Sequence, residues 1–388
     1  MRTPVVLVAG RGTADEVAAT LIRTPGTISV SYAIEGHVAI RQITEMRAQR
    51  RLISVWPIEV TGCLNCAIRA DLLPLLRRLH RREEVTRIAV QLPKWADPES
   101  LCNAIEHTPL HLGPGYIDGP AARDVVVTAV VTGIDTGSWL TDAVGDDDLD
   151  DDRTVAQVVV GQAEFADVLV LTAPDAQTLA VLRRLAPRAR ITVGTDNVEL
   201  ALANLDSAAR RGRSDDPHDP LLAGQPPLRP DGAVHLLEFN SRKPFHPLRL
   251  HHAIDELLDG VVRIRGRAWL ASQPDAVVWI ESAGGGLGVG HCGTWLADME
   301  PGERAYVDPE RIALAASIWD DRFGDRHIAM TALVCGADPE VITGALNRAL
   351  LTDDELASPQ DWPDYPDPFG DWRERADADT SEEARNET

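Results

Sequence analysis

The 388-residue sequence has no apolar run long enough to cross a bilayer. Its opening, MRTPVVLVAG, lacks the basic stretch and small-residue cleavage site of a secretory leader, and reads as a first buried strand. Cysteine is scarce, with five residues unevenly spaced. An odd, irregular set excludes a disulfide scaffold and predicts a cytoplasmic, reduced protein with one functional pair. Positive charge is also short. Against 60 Asp and Glu stand 38 Lys and Arg, leaving a net charge of −22. That balance argues against direct binding to nucleic-acid phosphates and against a membrane surface, but it permits docking on basic proteins. No internal repeat is present.

Hydrophobic residues make up 44% and charged residues 25%, enough for packed cores in a chain long enough for two domains. The first half alternates strand-length apolar runs with helical patterns. Strands are expected at Pro4–Ala9, Thr27–Tyr32, Leu52–Trp56, Arg87–Leu92, Asp124–Thr132, Asp167–Thr172 and Arg190–Val193. Helices are expected at Thr13–Ile22, Ala67–Arg81, Pro98–His107, Val155–Phe165 and Ala176–Leu185. Strands this apolar belong to a sheet buried on both faces, so the fold class is α/β with a doubly wound, mostly parallel sheet. This first domain covers residues 1–209. A Pro- and Gly-rich linker is expected over 210–232, then a smaller α+β domain over 233–372 and a disordered acidic tail over 373–388. The acidic run Gly145–Arg153 reads as an exposed loop. Ser282–Gly288 reads as a hairpin turn, because no helix follows its glycines. The segment holding Trp362, Tyr365, Phe369 and Trp372 is too apolar to float free, and either packs back or docks a partner.

Several segments, in order, resemble the CobW family of metal-linked P-loop GTPases. Gly62-Cys63-Leu64-Asn65-Cys66 is similar to the family's GCxCC motif. Gln162–Leu171 is similar to its QxxFAD strand, and Lys243–Leu250 to the RPFHPxRL opening of its C-terminal domain. Arg265–Ala271 with Pro274-Asp275 is similar to the stretch that follows. The resemblance spans residues 4 to 350. It implies a P-loop GTPase-like domain with a CobW C-terminal domain, GTP or GDP with Mg²⁺, and Zn²⁺. It is closest to an actinobacterial branch that recruits a hibernation-promoting factor to the ribosome, on the small subunit, under zinc limitation. The alternative is a GTP-dependent zinc metallochaperone.

The nucleotide motifs depart from the family. A P-loop cradles phosphates with backbone N–H groups, a lysine and a Mg²⁺-binding hydroxyl. The matching segment here is Gly10-Arg11-Gly12-Thr13, shortened, without the lysine, and followed by Asp15 and Glu16. Thr13 is expected to cap the helix rather than to hold Mg²⁺. Arg11 is a candidate substitute for the lysine. Gln91 replaces an acid and Lys94 a glycine. Asp175 keeps the carboxylate of the guanine-reading motif, whose lysine is gone. The expectation is a nucleotide site at Gly10, Arg11, Gly12, Thr13, Lys94 and Asp175 with hydrolysis weak or lost. Cys63 and Cys66, spaced C-x-x-C before a helix, are the candidate metal ligands, with Cys102, His80, His107 and His37 as further candidates. A redox pair and a purely structural pair are the competing readings. No Ser-His-Asp or paired-carboxylate pattern points to another enzyme class.

Overall fold

The computed structural model describes residues 1–35, 38–47, 50–58, 64–222 and 224–370. Within them the chain forms two compact units, divided near residue 214.

In the first unit the strands are β1 (Thr3–Gly10), β2 (Thr27–Glu35), β3 (Val38–Arg47), β4 (Arg50–Ile58), β5 (Arg87–Gln91), β6 (Val125–Ile134), β7 (Val168–Leu171) and β8 (Arg190–Val193). The helices are α1 (Ala14–Leu21), α2 (Leu64–His80), α3 (Pro98–His107), α4 (Trp139–Val144), α5 (Val155–Glu164), α6 (Ala176–Leu185) and α7 (Val198–Ala203). The eight strands form one sheet in the order β4-β3-β2-β5-β1-β6-β7-β8. From β2 across to β8 every neighbouring pair runs parallel. The hairpin partners β3 and β4 extend the sheet antiparallel beyond β2. Strand β1 is central and buried along most of its length. One of its faces packs Val5 and Leu7 against Leu72 and Leu76 of α2 and Ile105 of α3. Its other face packs Val6 and Val8 against Val17 and Leu21 of α1 and Val198 of α7. Helices on both faces make this the doubly wound α/β arrangement that the apolar runs predict.

The second unit carries β9 (Val234–Ser241), β10 (Val261–Ala268), β11 (Ala276–Ala283), β12 (Gly286–Thr294) and β13 (Ile328–Cys335). Its helices are α8 (Pro247–Leu258), α9 (Pro301–Arg304), α10 (Pro309–Ser317), α11 (Pro339–Ala349) and α12 (Asp353–Leu356). Its sheet is antiparallel throughout, ordered β12-β11-β10-β13-β9. The β11–β12 turn is the glycine-dense hairpin expected from the sequence, with Gly284 at φ +50°. The aromatic segment packs back on its own unit. Trp362 is buried against Trp269, and Tyr365 stacks on His246 at 4.6 Å. Trp372 and the acidic tail lie outside the described residues.

The stretch expected as a linker is held by both ends of its own length. The Arg211 backbone N–H donates to the Asp167 carboxylate at 2.8 Å within the first unit. Within the second, the buried Arg267 guanidinium donates to the Pro217 and Asp219 carbonyls at 2.7 and 3.0 Å. A buried guanidinium must find acceptors, so carbonyls of this polar stretch are drawn against the sheet. Proline and glycine content alone cannot signal this.

Two outcomes follow. Trp269 is 1% exposed and meets Phe323 and Trp362 edge-on, so Trp269→Ala should destabilise the second unit by about 3–5 kcal/mol. Denaturant unfolding checks this, and a loss below about 1 kcal/mol would contradict the packing. Burial opposes ionisation of Glu355, but the Arg249 guanidinium at 2.6 Å and the Thr352 N–H overcome it and hold the carboxyl at about 2. Its stabilising contribution is present above the ordinary glutamate value of ~4.3 and is lost as pH falls from there towards 2. In Glu355→Gln that part of the acid destabilisation should disappear from a pH titration of stability.

Candidate functional site

The carboxyl ends of parallel strands are where α/β sheets bind ligands. Here that edge gathers the β1–α1 turn with the ends of β5, β6 and β7. Gly10 and Gly12 have φ of +91° and +86°, the left-handed region that glycine adopts without strain. They also permit close approach. A Cβ on Gly10 would strike the Gly133 carbonyl oxygen, and one on Gly12 would sit 2.9 Å from Cγ2 of Thr172. From the other side, a Cβ on Gly133 would lie 2.8 Å from Oγ1 of Thr13 and 3.0 Å from the Arg11 carbonyl oxygen. The turn is therefore pressed onto β6.

Two of its N–H groups are already bonded within the protein. The Arg11 N–H donates to the Gly133 carbonyl at 3.0 Å, and the Thr13 N–H to the Arg11 carbonyl at 3.1 Å. Thr13 does not cap α1 as expected. Its hydroxyl is buried and donates to the Val170 carbonyl at 3.0 Å, tying the turn to β7. Turned towards β7, the hydroxyl accepts no hydrogen bond from the first-turn N–H groups of α1. Arg11 pairs with Asp142 of α4 at 2.6 Å and lies over the Trp95 ring at 5.4 Å. The Lys94 ammonium lies over the same ring at 4.1 Å. Partial burial and the Arg11 charge hold its pKa below the usual lysine value. Gln91 donates to the Asp15 carboxylate. Asp175 is the N-cap of α6, accepting from the Thr178 N–H at 2.7 Å, and hydrogen bonding from Thr178, by its side chain first and then its backbone, lowers the Asp175 pKa. The structure thus brings Gly10, Arg11, Gly12, Thr13 and Lys94 to one edge and gives Asp175 a capping role. It adds Gly133, Asp142 and Trp95, which lack motif spacing and go unseen in the sequence.

Cys66 stands on the first turn of α2, exposed and disulfide-bonded. Cys63 lies outside the described residues, as does His37. The other candidate ligands do not join it. His80 closes the same helix fourteen residues on, about 21 Å away along the axis, and its ring meets the Thr3 hydroxyl at 2.8 Å. Cys102 is buried in the core, where burial raises its thiol pKa far above the usual value. His107 bonds the Asn103 carbonyl on α3 at 3.1 Å. Among the described residues no three His, Cys, Asp or Glu side chains form a cluster able to hold a metal ion.

Comparison with known proteins gives the family. A protein named a zinc chaperone in Mycobacterium tuberculosis is 59% identical over 376 residues, covering 96% of this chain and 94% of its own length. Residues 234–350 match the family described as the cobalamin synthesis protein cobW C-terminal domain. The chain belongs to the CobW-type family. A more distant relative, the zinc-regulated GTPase metalloprotein activator 1 of Dictyostelium discoideum, is 23% identical and covers 84% of this chain and 73% of its own. Among solved structures, the Zn(II)-bound YjiA GTPase from E. coli is similar at TM-score 0.40 and 13% identity, over 90% of this chain and 100% of its own.

The CobW-type family implies GTP or GDP with Mg²⁺, but the residues at this edge do not fit a nucleotide's phosphates. The turn's N–H groups at Arg11 and Thr13 are satisfied within the protein. Asp15 and Glu16 occupy the first turn of α1, meeting the helix N-terminus's preference for negative charge and repelling a polyphosphate. The cavity lined by Arg11, Gly133, Asp135, Ser138 and Asp142 is about 10 Å³, room for about one water. GTP with Mg²⁺ at millimolar concentration should therefore leave the melting temperature unchanged. A rise of roughly 5 °C or more, as tight binding would give, would contradict this if Arg11→Ala abolished it.

Proposed function

We propose that this CobW-type protein is a zinc metallochaperone that takes Zn²⁺ through Cys63 and Cys66 and passes it to a client protein, without turning over GTP. The observation that carries the reading is near-full-length similarity to a protein named a zinc chaperone, combined with an exposed cysteine on the first turn of a helix. Thiolates are the zinc ligands, and a helix N-terminus favours negative charge. Two thiolates alone leave part of a tetrahedral shell open. An incomplete shell suits a carrier, because a client's own ligands can enter before the carrier's leave. Zinc is cargo here, and loading requires the reduced pair, since a disulfide offers no thiolate.

Recruitment of a hibernation-promoting factor to the ribosome rests on the family resemblance. The net charge of −22 favours basic ribosomal proteins over rRNA as its contact. Co-sedimentation under zinc limitation, with and without the factor, tests that reading, and absence from ribosome fractions would remove it.

The zinc reading is checked by chelator competition. Reduced protein should bind Zn²⁺, the oxidised protein should not, and Cys63→Ser/Cys66→Ser should lose affinity by about two powers of ten or more, that is about 2.8 kcal/mol. Equal affinity in wild type and double variant would refute it.

A further inference from the structure

We propose that the outer edge of β4 is a docking strand, which an acidic and alternately apolar segment of the client extends as a further strand of the sheet. The identity of the partner as a zinc client rests on the zinc-handling reading. The docking edge itself is argued from the strand.

Among the described residues strand β4 ends the sheet and pairs only with β3. Every residue from Arg50 to Pro57 is exposed. Leu52, Ile53, Val55 and Trp56 retain 41%, 51%, 56% and 41% of their accessible surface. A flat apolar edge with free backbone N–H and C=O groups is a template for another strand, and proteins normally blunt such edges. Here Pro57 blunts only the last turn of the ladder. β4 pairs antiparallel with β3, so alternate residues between Leu52 and Trp56 turn their backbone N–H and C=O groups away from β3, and main-chain pairing with side-chain pockets is how β-augmentation works.

Charge selects the occupant. Val38–Ile58 carries Arg41, Arg47, Arg50 and Arg51 against Glu45 alone, in a chain of net charge −22. Arg41 is taken by Asp71 at 2.5 Å and stacks on Trp56 at 4.8 Å. Glu45 is held by Arg82 at 2.7 Å, leaving Arg47 at 3.9 Å and 65% exposed. Arg50 and Arg51 are exposed, and neither makes an ion pair among the described residues. A basic strip beside exposed Ile53 and Val55 calls for carboxylates and apolar side chains in alternation. A second copy is disfavoured because its own basic strip would meet this one across the shared edge. From Ile58 to Cys66 the chain spans at most about 28 Å, which bounds the distance from the Ile58 end of such a segment to Cys66.

The probe is a labelled nine-residue peptide alternating valine and aspartate, followed by fluorescence anisotropy on zinc-free protein. Binding should weaken at least about tenfold in Arg50→Glu/Arg51→Glu and in Ile53→Asp/Val55→Asp. On peptide addition, the alternate amides between Leu52 and Trp56 that face away from β3 should gain protection in hydrogen exchange. The arginine variant alters exposed side chains only, so it stays decisive if the aspartates disturb the hairpin. Failure of the peptide to bind, equal binding to the arginine variant, or protection gained only elsewhere would overturn the proposal. So would a wild-type dimer that Ile53→Asp/Val55→Asp dissociates, or peptide binding that requires removal of residues 371–388. Cys63→Ser/Cys66→Ser should bind the peptide as wild type does. Loss of the zinc reading is thus distinguishable from loss of the docking edge.

Discussion

The close approach of the β1–α1 turn to β6, at Gly10 and Gly133, governs the first unit. Two glycines face one another because neither position has space for a Cβ. In a working P-loop the space between turn and sheet edge belongs to phosphate. Here the backbone has closed it. Thr13 hooks β7, and Arg11 reaches out to Asp142 and Trp95. A donor bonded within the protein gains little by exchanging that partner for a ligand, and opening the turn would first leave buried groups unpaired. Erosion of the motif and closure of the turn are therefore one change.

Buried arginines organise much of the remainder. Arg77 is 1% exposed, paired with Asp124 at 2.7 Å, and also donates to the Gly119 and Ile117 carbonyls. Arg267 plays the same part for the second unit. Each draws an irregular segment onto a regular element, because an unpaired buried charge would cost far more than ordering a loop. In this way stretches rich in glycine and proline become fixed without strands or helices of their own.

The doubly wound sheet was legible because its central strands are unbroken apolar runs. DVVVTAVVT and DVLVLT leave no other reading once helical patterns lie between them. Strand β3 was not legible. Arg41 and Glu45 stand on one of its faces and Gln42 and Thr44 on the other, which blurs the two-residue alternation. Of the site, the degenerate residues were visible by their place after β1 and β5. Their partners were not, because Asp142 and Trp95 reach Arg11 only through the tertiary fold. The expected cap at Thr13 failed for the same reason: local propensity favoured the helix N-terminus, but the tertiary fold turns the hydroxyl to a buried carbonyl on β7. For the candidate zinc ligands, spacing marked Cys63 and Cys66, but His80 on the same helix looked available until helical rise set it about two nanometres from Cys66.

A family elsewhere linked to GTP has in this chain a cysteine pair in its sequence and a closed turn at the nucleotide edge. Metal handling in this protein should then be uncoupled from nucleotide. Linkage makes this measurable, since any coupling must alter zinc affinity by the same factor that zinc alters nucleotide affinity. Zinc affinity of the reduced protein, measured by chelator competition with and without millimolar GTP and Mg²⁺, is the direct test. The account predicts the same affinity in both, whereas a change of about tenfold or more, some 1.4 kcal/mol of coupling, would contradict it.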